Sequence, residues 1–410
     1  MNPSETETAA LPLAGIRVVE LSHMVMGPTC GMILGDLGAE VIKVEPPGGD
    51  NTRRLIGSGA GFFRMFNRNK KSLAVDLTQP DGLEIVHRLI ATADVLIENF
   101  KPDTLTKYRL DYASLAKQHP RLIYVAHKGF LPGPYAHRTA LDEVVQMMAG
   151  LAYMTGPLGR PLRAGSSVND IMGGMFGAIG VLAALRERER TDRGQEVQSA
   201  LFENCVLLCG QHMLQYAVTG QAALPMPSRT SAWGIYDVFT GADGEQIFLG
   251  VVTDTQWTIF CDRFGLQTLA ADPRLSTNNQ RVLARQWLIP ELQSTFSRYT
   301  TGQLQDLFEQ NGLPYAPIVR PEQLFEDPHL VASGGLAPLT TESGEETAVP
   351  LLPITLGEDR LGPRFALCRI GEHTCEVLQA LGYLDGEIRA LAERKTIVCD
   401  GAGPPGRSSS

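Results

Sequence analysis

Asp170 is the residue whose type and surroundings point most directly to chemistry. It stands where a short polar loop gives way to a long apolar helix, and Asn169 or Asp170 can cap that helix through a side-chain oxygen. Glycines within the helix cost roughly 1 kcal/mol each relative to alanine, so we expect another backbone or a ligand to approach closely. Four of them follow Asp170: Gly173, Gly174, Gly177 and Gly180. Taken alone, a helix cap is the commoner role for such an aspartate, and the alternative is a carboxylate nucleophile.

Three further segments carry polar groups suited to a ligand. The segment from Phe62 to Ser72 mixes aromatic side chains with four cations, which suits either a phosphate-bearing ligand or a solvated basic turn. Glu98-Asn99-Phe100 ends an apolar run, and Asp142 begins another helical segment. His23 and His137 lie in nearby loops, where a structural histidine is the commoner case.

The elements that must position these residues alternate between strands and helices. Such alternation predicts an α/β fold with a doubly wound, Rossmann-like parallel sheet, whose ligands bind beyond the carboxyl ends of the strands. We expect strands at 13–21, 39–45, 72–76, 95–98 and 122–126, and helices at 29–37, 80–93, 102–108 and 115–118.

Composition divides the chain further. We expect a large domain over 11–220, a smaller α+β domain over 225–330 and a return to the large domain over 331–400. An Asp-Gly turn at 243–244 predicts a hairpin in the smaller domain. Residues 1–10 and 401–410 have the composition of disordered tails.

Several functional classes are disfavoured by what the sequence lacks. It has no G-x-G-x-x-G turn, phosphate loop, G-x-S-x-G elbow or HExxH motif, so we expect no nucleotide cofactor, serine nucleophile or metal. The net charge of −9 argues against nucleic-acid binding. No signal peptide and no window of ~18 uncharged apolar residues is evident, so we expect no membrane span. Seven scattered cysteines suit free thiols in a reducing cytoplasm.

Taken in order, many of these segments resemble the class III CoA-transferase family, also called the CaiB/BaiF family. The group includes formyl-CoA transferase, carnitine CoA-transferases and α-methylacyl-CoA racemase. The resemblance runs from about Leu13 to about Leu391 and rests on residues 13–21, 27–28, 37–45, 67–72, 94–100, Asp170 with its glycines, 191–195, 312–314 and 371–374.

The resemblance implies a fold, a mechanism and an assembly. Two chains would interlock as a homodimer, each with a large and a small domain. Asp170 matches the catalytic aspartate, which attacks an acyl-CoA thioester and carries CoA as an aspartyl thioester. Amides at the helix start would favour its ionised form. CoA is then a substrate beside a carboxylic acid, and no cofactor is implied.

The resemblance also implies binding residues. For CoA they are Met24, Val25, Met26, Lys43, Arg68, Lys70, Asn99, Phe100, Lys107, Lys128 and Arg138. For the acyl group the candidates are Asp142 and, for pairing with a second carboxylate, either Arg229 or Arg53 and Arg54. Departures from formyl-CoA transferase at Val25, Pro46 and the segment 228–233 disfavour formate and oxalate, and a small dicarboxylate is the expected substrate.

Three functions remain open at this point. The leading one is a CoA-transferase. The alternative is a 2-methylacyl-CoA racemase, which needs an acid/base pair, but Leu141 stands where that branch has a histidine before Asp142. The third is a catalytically silent CoA-binding protein on the same fold.

Overall fold

A parallel sheet organises the larger part of the computed structural model, which describes residues 11–229 and 231–399. The predicted tails at 1–10 and 401–410 lie outside the described residues. By contact density the chain divides into one unit built from residues up to 227 and from 331 onward, and a second unit from 228 to 330.

The larger unit begins with six strands and the helices between them. The strands are β1 (Arg17–Leu21), β2 (Glu40–Glu45), β3 (Lys70–Val75), β4 (Val95–Glu98), β5 (Ile123–Lys128) and β6 (Glu196–Ala200). The helices are α1 (Met26–Asp36), α2 (Phe62–Phe66), α3 (Pro80–Ile90), α4 (Pro102–Lys107), α5 (Tyr112–Leu115), α6 (Asp142–Met148), α7 (Leu151–Thr155), α8 (Val168–Thr191) and α9 (Leu201–Thr219).

The second unit comprises a small antiparallel sheet and helices around an aromatic core. Its strands are β7 (Ile235–Thr240), β8 (Gln246–Val251) and β9 (Tyr315–Pro317), in that spatial order. Its helices are α10 (Asp254–Arg263), α11 (Gln267–Ala270), α12 (Asn278–Phe296) and α13 (Thr301–Gln310). Phe239, Phe260, Phe296 and Phe308 are fully buried between them. The predicted hairpin is present, joined at a positive-φ Gly244.

The remaining chain returns to the first unit at Val331, within the first of its helices. It contains α14 (Pro328–Ala332), the hairpin β10 (Leu336–Thr340) and β11 (Glu346–Pro350), α15 (Thr374–Ala380), α16 (Asp385–Glu393) and β12 (Ile397–Val398). Helix α15 packs on the same apolar core as α3.

The seven-stranded sheet has the order β12-β3-β2-β1-β4-β5-β6. All neighbours are parallel except β12, which runs antiparallel to β3. The predicted mainly parallel α/β sheet is therefore present, with β6 and β12 added to the five expected strands. The order reverses between β1 and β4, and ligands of doubly wound sheets bind at such a switch point.

Helix α8 packs unusually closely against α1, and its glycines explain how. A Cβ at Gly174 would come within 2.5 Å of the Thr29 Cβ and 2.6 Å of the Met26 carbonyl oxygen. At Gly177 it would meet the His127 ring at 2.4 Å. The expected close approach is thus to protein, at α1 and β5, and the ligand alternative is not needed to explain these glycines.

Two expectations from composition differ from the structure. Within the described part of the chain, α8 is long and apolar enough to pass a length-and-composition test for a membrane span. One face of α8 packs against α1 and the sheet, and only 39% of the apolar window is buried, since Met175, Ile179 and Leu182 stay exposed. Cys375 and Cys399 form a disulfide although free thiols were expected, because α15 lies beside β12. The other five cysteines are free and buried, and the cytoplasmic location stays a prediction.

Gly174→Ala should destabilise the larger unit by roughly 1–3 kcal/mol, because the added methyl forces α8 away from the α1 backbone. Gly386→Ala is the matched control. Gly386 lies inside α16 with nothing within 4 Å of an added Cβ, so helix propensity should stabilise that variant by up to ~1 kcal/mol. Melting temperatures measure both, and an equal response at the two positions would contradict the packing role.

Candidate functional site

The carboxyl ends of β1 and β4 form the centre of the candidate site. The His23 amide donates to the Asn99 side-chain oxygen (3.1 Å), and the Asn99 side-chain nitrogen donates to the His23 carbonyl (2.7 Å). The His23 ring stacks on Phe100 with centroids 5.5 Å apart. These contacts join the loop after β1 to the loop after β4, which carries the predicted residues Asn99 and Phe100.

The loop after β1 presents mainly its backbone and one side chain. Met24 has a positive φ of 64° and is 40% exposed, whereas the side chains of Val25 and Met26 are buried. Of the three residues predicted to contact CoA here, only Met24 offers its side chain to solvent.

Asp170 lies one helical turn before the glycines that contact α1. Since Gly173 and Gly174 meet Met26 at the start of α1, the half-buried Asp170 lies near the loop after β1. Asp170 and the switch-point loops therefore lie in one region, as a nucleophile and its thioester substrate require.

Asp142 caps the helix that carries Asp170. Its Oδ2 atom accepts hydrogen bonds from the backbone amides of Asn169 (2.8 Å) and Asp170 (3.2 Å), and its Oδ1 atom accepts one from the Gln146 side chain (2.5 Å). The prediction that Asn169 or Asp170 caps α8 is wrong, because no side chain at the helix start makes a local cap. Residue spacing gave no signal for a cap that comes from α6.

This arrangement determines the ionisation of Asp170. Burial, and next the Asp142 carboxylate, raise the pKa of Asp170 to about 7, against partial opposition from Arg163. The amides expected to favour ionised Asp170 are bonded to Asp142 instead. The sequence-based expectation of a fully ionised nucleophile near neutral pH is therefore corrected: Asp170 titrates across that range.

Three predicted CoA-binding cations are in buried ion pairs. Lys43 pairs with Glu20 (3.2 Å) and Asp50 (3.0 Å), Lys70 pairs with Glu20 (2.7 Å), and Arg68 pairs with Asp36 (2.7 Å). None of the three charged side chains has accessible surface. We correct their predicted role, because a phosphate would have to displace a desolvated partner.

The other predicted cations are nearer the surface. Lys128, which is 21% exposed, pairs with Glu98 at the end of β4 (2.5 Å). Lys107 and Arg138 are exposed, and each lies over a tyrosine ring. These three are placed so that an anionic ligand can reach them.

Of the predicted acyl-group arginines, Arg53 and Arg54 are adjacent in the chain and bond to different groups. Arg53 donates two hydrogen bonds to the Glu45 carboxylate (2.9 and 2.7 Å) and a third to the Cys368 carbonyl (2.9 Å). Arg54 is exposed and donates to the Gly48 carbonyl and the Asn51 side chain. Arg229 belongs to the second unit.

A cavity of about 700 Å³ lies elsewhere, at the amino ends of β2 and β3. Glu40, Lys71, Arg364 and His373 line it, and Asp170 does not. Its position on the opposite edge of the sheet separates it from the switch point. In the described residues, no group of three or more His, Cys, Asp or Glu side chains is arranged to hold a metal ion.

Comparisons with known proteins show what the chain is similar to. The family model "CoA-transferase family III" matches residues 13–374. The chain is 36% identical to a succinate–glutarate CoA-transferase of Agrobacterium fabrum, over 91% of this chain and 96% of that one. It is 32% identical to a mouse succinyl-CoA:glutarate CoA-transferase, over 93% and 89%. A CaiB/BaiF family protein of Brucella suis has a similar structure, with a TM-score of 0.82, 33% identity and coverage of 90% and 99%.

Asp170→Asn should raise the melting temperature relative to the wild type by a margin that grows with pH. The wild-type carboxyl must ionise in a buried place above its ordinary pKa, so the cost begins near pH 4 and is complete above about pH 7, where it reaches roughly 1–3 kcal/mol. Below pH 4 both side chains are neutral and the margin should close. Melting curves from pH 4 to 8 measure it.

Asp262→Asn, at an exposed position of α10, supplies the baseline for loss of one surface charge. A margin for Asp170→Asn that stays constant across this pH range would contradict the raised pKa.

Proposed function

The chain belongs to CoA-transferase family III, and on this premise we propose that it moves CoA between two small dicarboxylic acids with Asp170 as the nucleophile. The half-buried Asp170 carboxyl at the start of α8, near the switch-point loops, is the observation that carries the proposal. The named activities of the Agrobacterium and mouse relatives, which act on succinate and glutarate, support dicarboxylates as the substrate class.

The reaction needs no group beyond the carboxylate and the two substrates. An ionised Asp170 oxygen attacks the thioester carbonyl, the C–S bond breaks, and a mixed anhydride and CoA thiolate form. The thiolate attacks the aspartyl carbonyl, the donor acid leaves, and an aspartyl-CoA thioester remains. The acceptor carboxylate then attacks that thioester, which forms a second mixed anhydride and releases CoA thiolate. The thiolate attacks the acceptor's acyl carbon, so the acceptor leaves as its CoA thioester and the Asp170 carboxylate is regenerated.

The pKa near 7 suits this cycle. A large fraction of Asp170 is ionised at neutral pH, while burial keeps its oxygen poorly hydrated and water away from the intermediates. For CoA itself, we retain Met24, Asn99, Phe100, Lys107, Lys128 and Arg138 as the proposed contacts. Their common feature is a position on or near the carboxyl edge of the sheet, with surface that a ligand can reach.

The racemase alternative lacks support from the residues around Asp142. Leu141 precedes it, is 60% exposed and has no acid/base group, so α-proton exchange has no candidate base at that position.

We also propose a homodimer, supported by apolar surface on two helices of the larger unit. Met175, Ile179 and Leu182 recur along the face of α8 away from α1, with 46%, 55% and 40% of their surface exposed. On α9, Leu214 and Val218 are 66% and 83% exposed. Apolar side chains grouped in this way are typical of a surface that a partner covers.

Asp170→Ala should reduce CoA transfer by at least ~10³-fold while CoA binding remains, because the covalent carrier is lost. Transfer from succinyl-CoA to glutarate measures activity, and calorimetry measures CoA binding. Hydroxylamine added with succinyl-CoA should convert residue 170 of the wild type into a hydroxamate that mass spectrometry detects.

The outcomes separate the three functions. Turnover by Asp170→Ala would overturn the nucleophile. Deuterium entering the α-carbon of a branched acyl-CoA from D₂O would favour a racemase. Absence of both transfer and hydroxamate across a broad acyl-CoA panel would favour a silent CoA-binding protein.

Leu214→Glu combined with Ile179→Glu should abolish dimer formation, because two charges would be buried in the proposed interface. Light scattering after gel filtration should give twice the chain mass for the wild type and the mass of one chain for the variant. Leu283→Glu is the control, since Leu283 is an exposed residue of α12 (86%) and is not part of the proposed interface. A variant that remains fully dimeric would contradict this surface as the interface.

A further inference from the structure

An arginine that the sequence analysis passed over lies in the loop between α7 and α8. Arg163 precedes the start of α8 by five residues, and its side chain is 38% exposed. Its guanidinium group pairs with Glu143, whose side chain is 57% exposed, and its Nε atom donates to the carbonyl of Ala164 (3.0 Å). An exposed ion pair of this kind contributes only about 0–1 kcal/mol, so another carboxylate can replace Glu143 at little cost.

A chain of hydrogen bonds fixes the loop of Arg163 relative to Asp170. The Ala164 amide donates to the Gln146 side-chain oxygen (2.8 Å), and the Gln146 nitrogen donates to Asp142 (2.5 Å). Asp142 in turn accepts from the Asp170 amide (3.2 Å). Arg163 and the nucleophile are therefore attached to one frame that involves α6, the loop and α8.

Arg163 is also within electrostatic range of the nucleophile. Its positive charge opposes the rise in the pKa of Asp170 that burial and Asp142 cause. The arginines that the sequence suggested for a second carboxylate are engaged or distant in the chain. Arg53 is held by a buried Glu45, Arg54 is bonded to its own turn, and Arg229 belongs to the other unit.

Dicarboxylate substrates require such a cation. One carboxylate of succinate or glutarate enters the anhydride chemistry, and the other remains charged throughout. An arginine fork binds a carboxylate through two parallel hydrogen bonds, which fixes its orientation as well as its charge. A monocarboxylate of equal length has nothing to place there.

We propose that Arg163 is the specificity-determining residue that binds the distal, non-reacting carboxylate of a dicarboxylate acyl group, and that this carboxylate displaces Glu143. The proposal rests on the proposed function, since it names the residue that selects substrates for transfer at Asp170. When no substrate is bound, Glu143 forms the ion pair with Arg163.

The test compares acids that differ only in the second carboxylate. Arg163→Gln and Arg163→Lys are assayed with succinate against butyrate and with glutarate against pentanoate as acceptors. Assays at about pH 8.5 keep Asp170 ionised in every variant, because loss of Arg163 raises the pKa of Asp170 and slows transfer of all acids nearer neutrality. At that pH, a loss confined to dicarboxylates reports lost recognition of the second carboxylate, and it is not confused with a lower fraction of ionised Asp170.

For Arg163→Gln, kcat/KM with dicarboxylates should fall roughly 10–100-fold, the usual effect of losing charged hydrogen bonds. Values for monocarboxylates should change less than about 3-fold. Arg163→Lys should give an intermediate loss, since it keeps the charge and lacks the fork. Glu143→Gln is the matched partner: it releases Arg163, so KM for dicarboxylates should fall while KM for monocarboxylates stays unchanged.

The outcomes also separate this proposal from the proposed function. If the wild type transfers CoA and Arg163→Gln keeps its dicarboxylate preference, the role of Arg163 is overturned and the transferase stands. An equal loss with both kinds of acid at about pH 8.5 overturns it as well, since that is the result of a purely structural role. If the wild type transfers CoA to none of the acids, the proposed function itself fails.

Discussion

The contact between α1 and α8 is the constraint on which the rest of the site depends. Gly173 and Gly174 bring α8 against the first turn of α1, where a methyl group would overlap the Met26 carbonyl and Thr29. Because α1 begins at the carboxyl end of β1, this contact draws the start of α8 toward the point where the strand order reverses. The glycines give up helix propensity for a position that places Asp170 beside the loops after β1 and β4.

The capping of α8 by Asp142 follows from that position and changes the chemistry of Asp170. A carboxylate at the cap takes the free amides and leaves a second, partly buried carboxyl beside it. Burial of Asp170 first, and repulsion by the neighbouring Asp142 carboxylate next, raise the pKa of Asp170 to about 7. As the proposed nucleophile, Asp170 would react in its ionised form, and the helix would hold its orientation without a bond to the reacting side chain.

Local patterns predicted the elements well, and long-range pairings escaped them. The bounds of β4 (Val95–Glu98) agree with the sequence analysis residue for residue, and those of α4 (Pro102–Lys107) differ from it by one residue, because period and end signals are local. The role of Lys43 and Arg68 could not be found in this way. Their partners Glu20 and Asp36 lie 23 and 32 residues away in the chain. The sequence therefore does not distinguish a cation that binds a ligand from one that forms a buried ion pair. Asp142 was recognised as a candidate, yet its bond to Asn169 spans 27 residues and no spacing rule predicts it.

Charge near the nucleophile explains why an arginine held by a glutamate suits dianionic substrates. With Asp170 ionised, the carboxylates of Asp142, Glu143 and Asp170 lie near the cation Arg163, and a second substrate carboxylate would meet stronger repulsion without it. Since Glu143 already neutralises Arg163 before substrate binds, a substrate carboxylate that takes its place leaves the charge balance around Asp170 nearly constant, provided that the exposed Glu143 turns to solvent. In the proposed exchange, one carboxylate replaces another at Arg163, which would select a dianion while Asp170 keeps its ionisation.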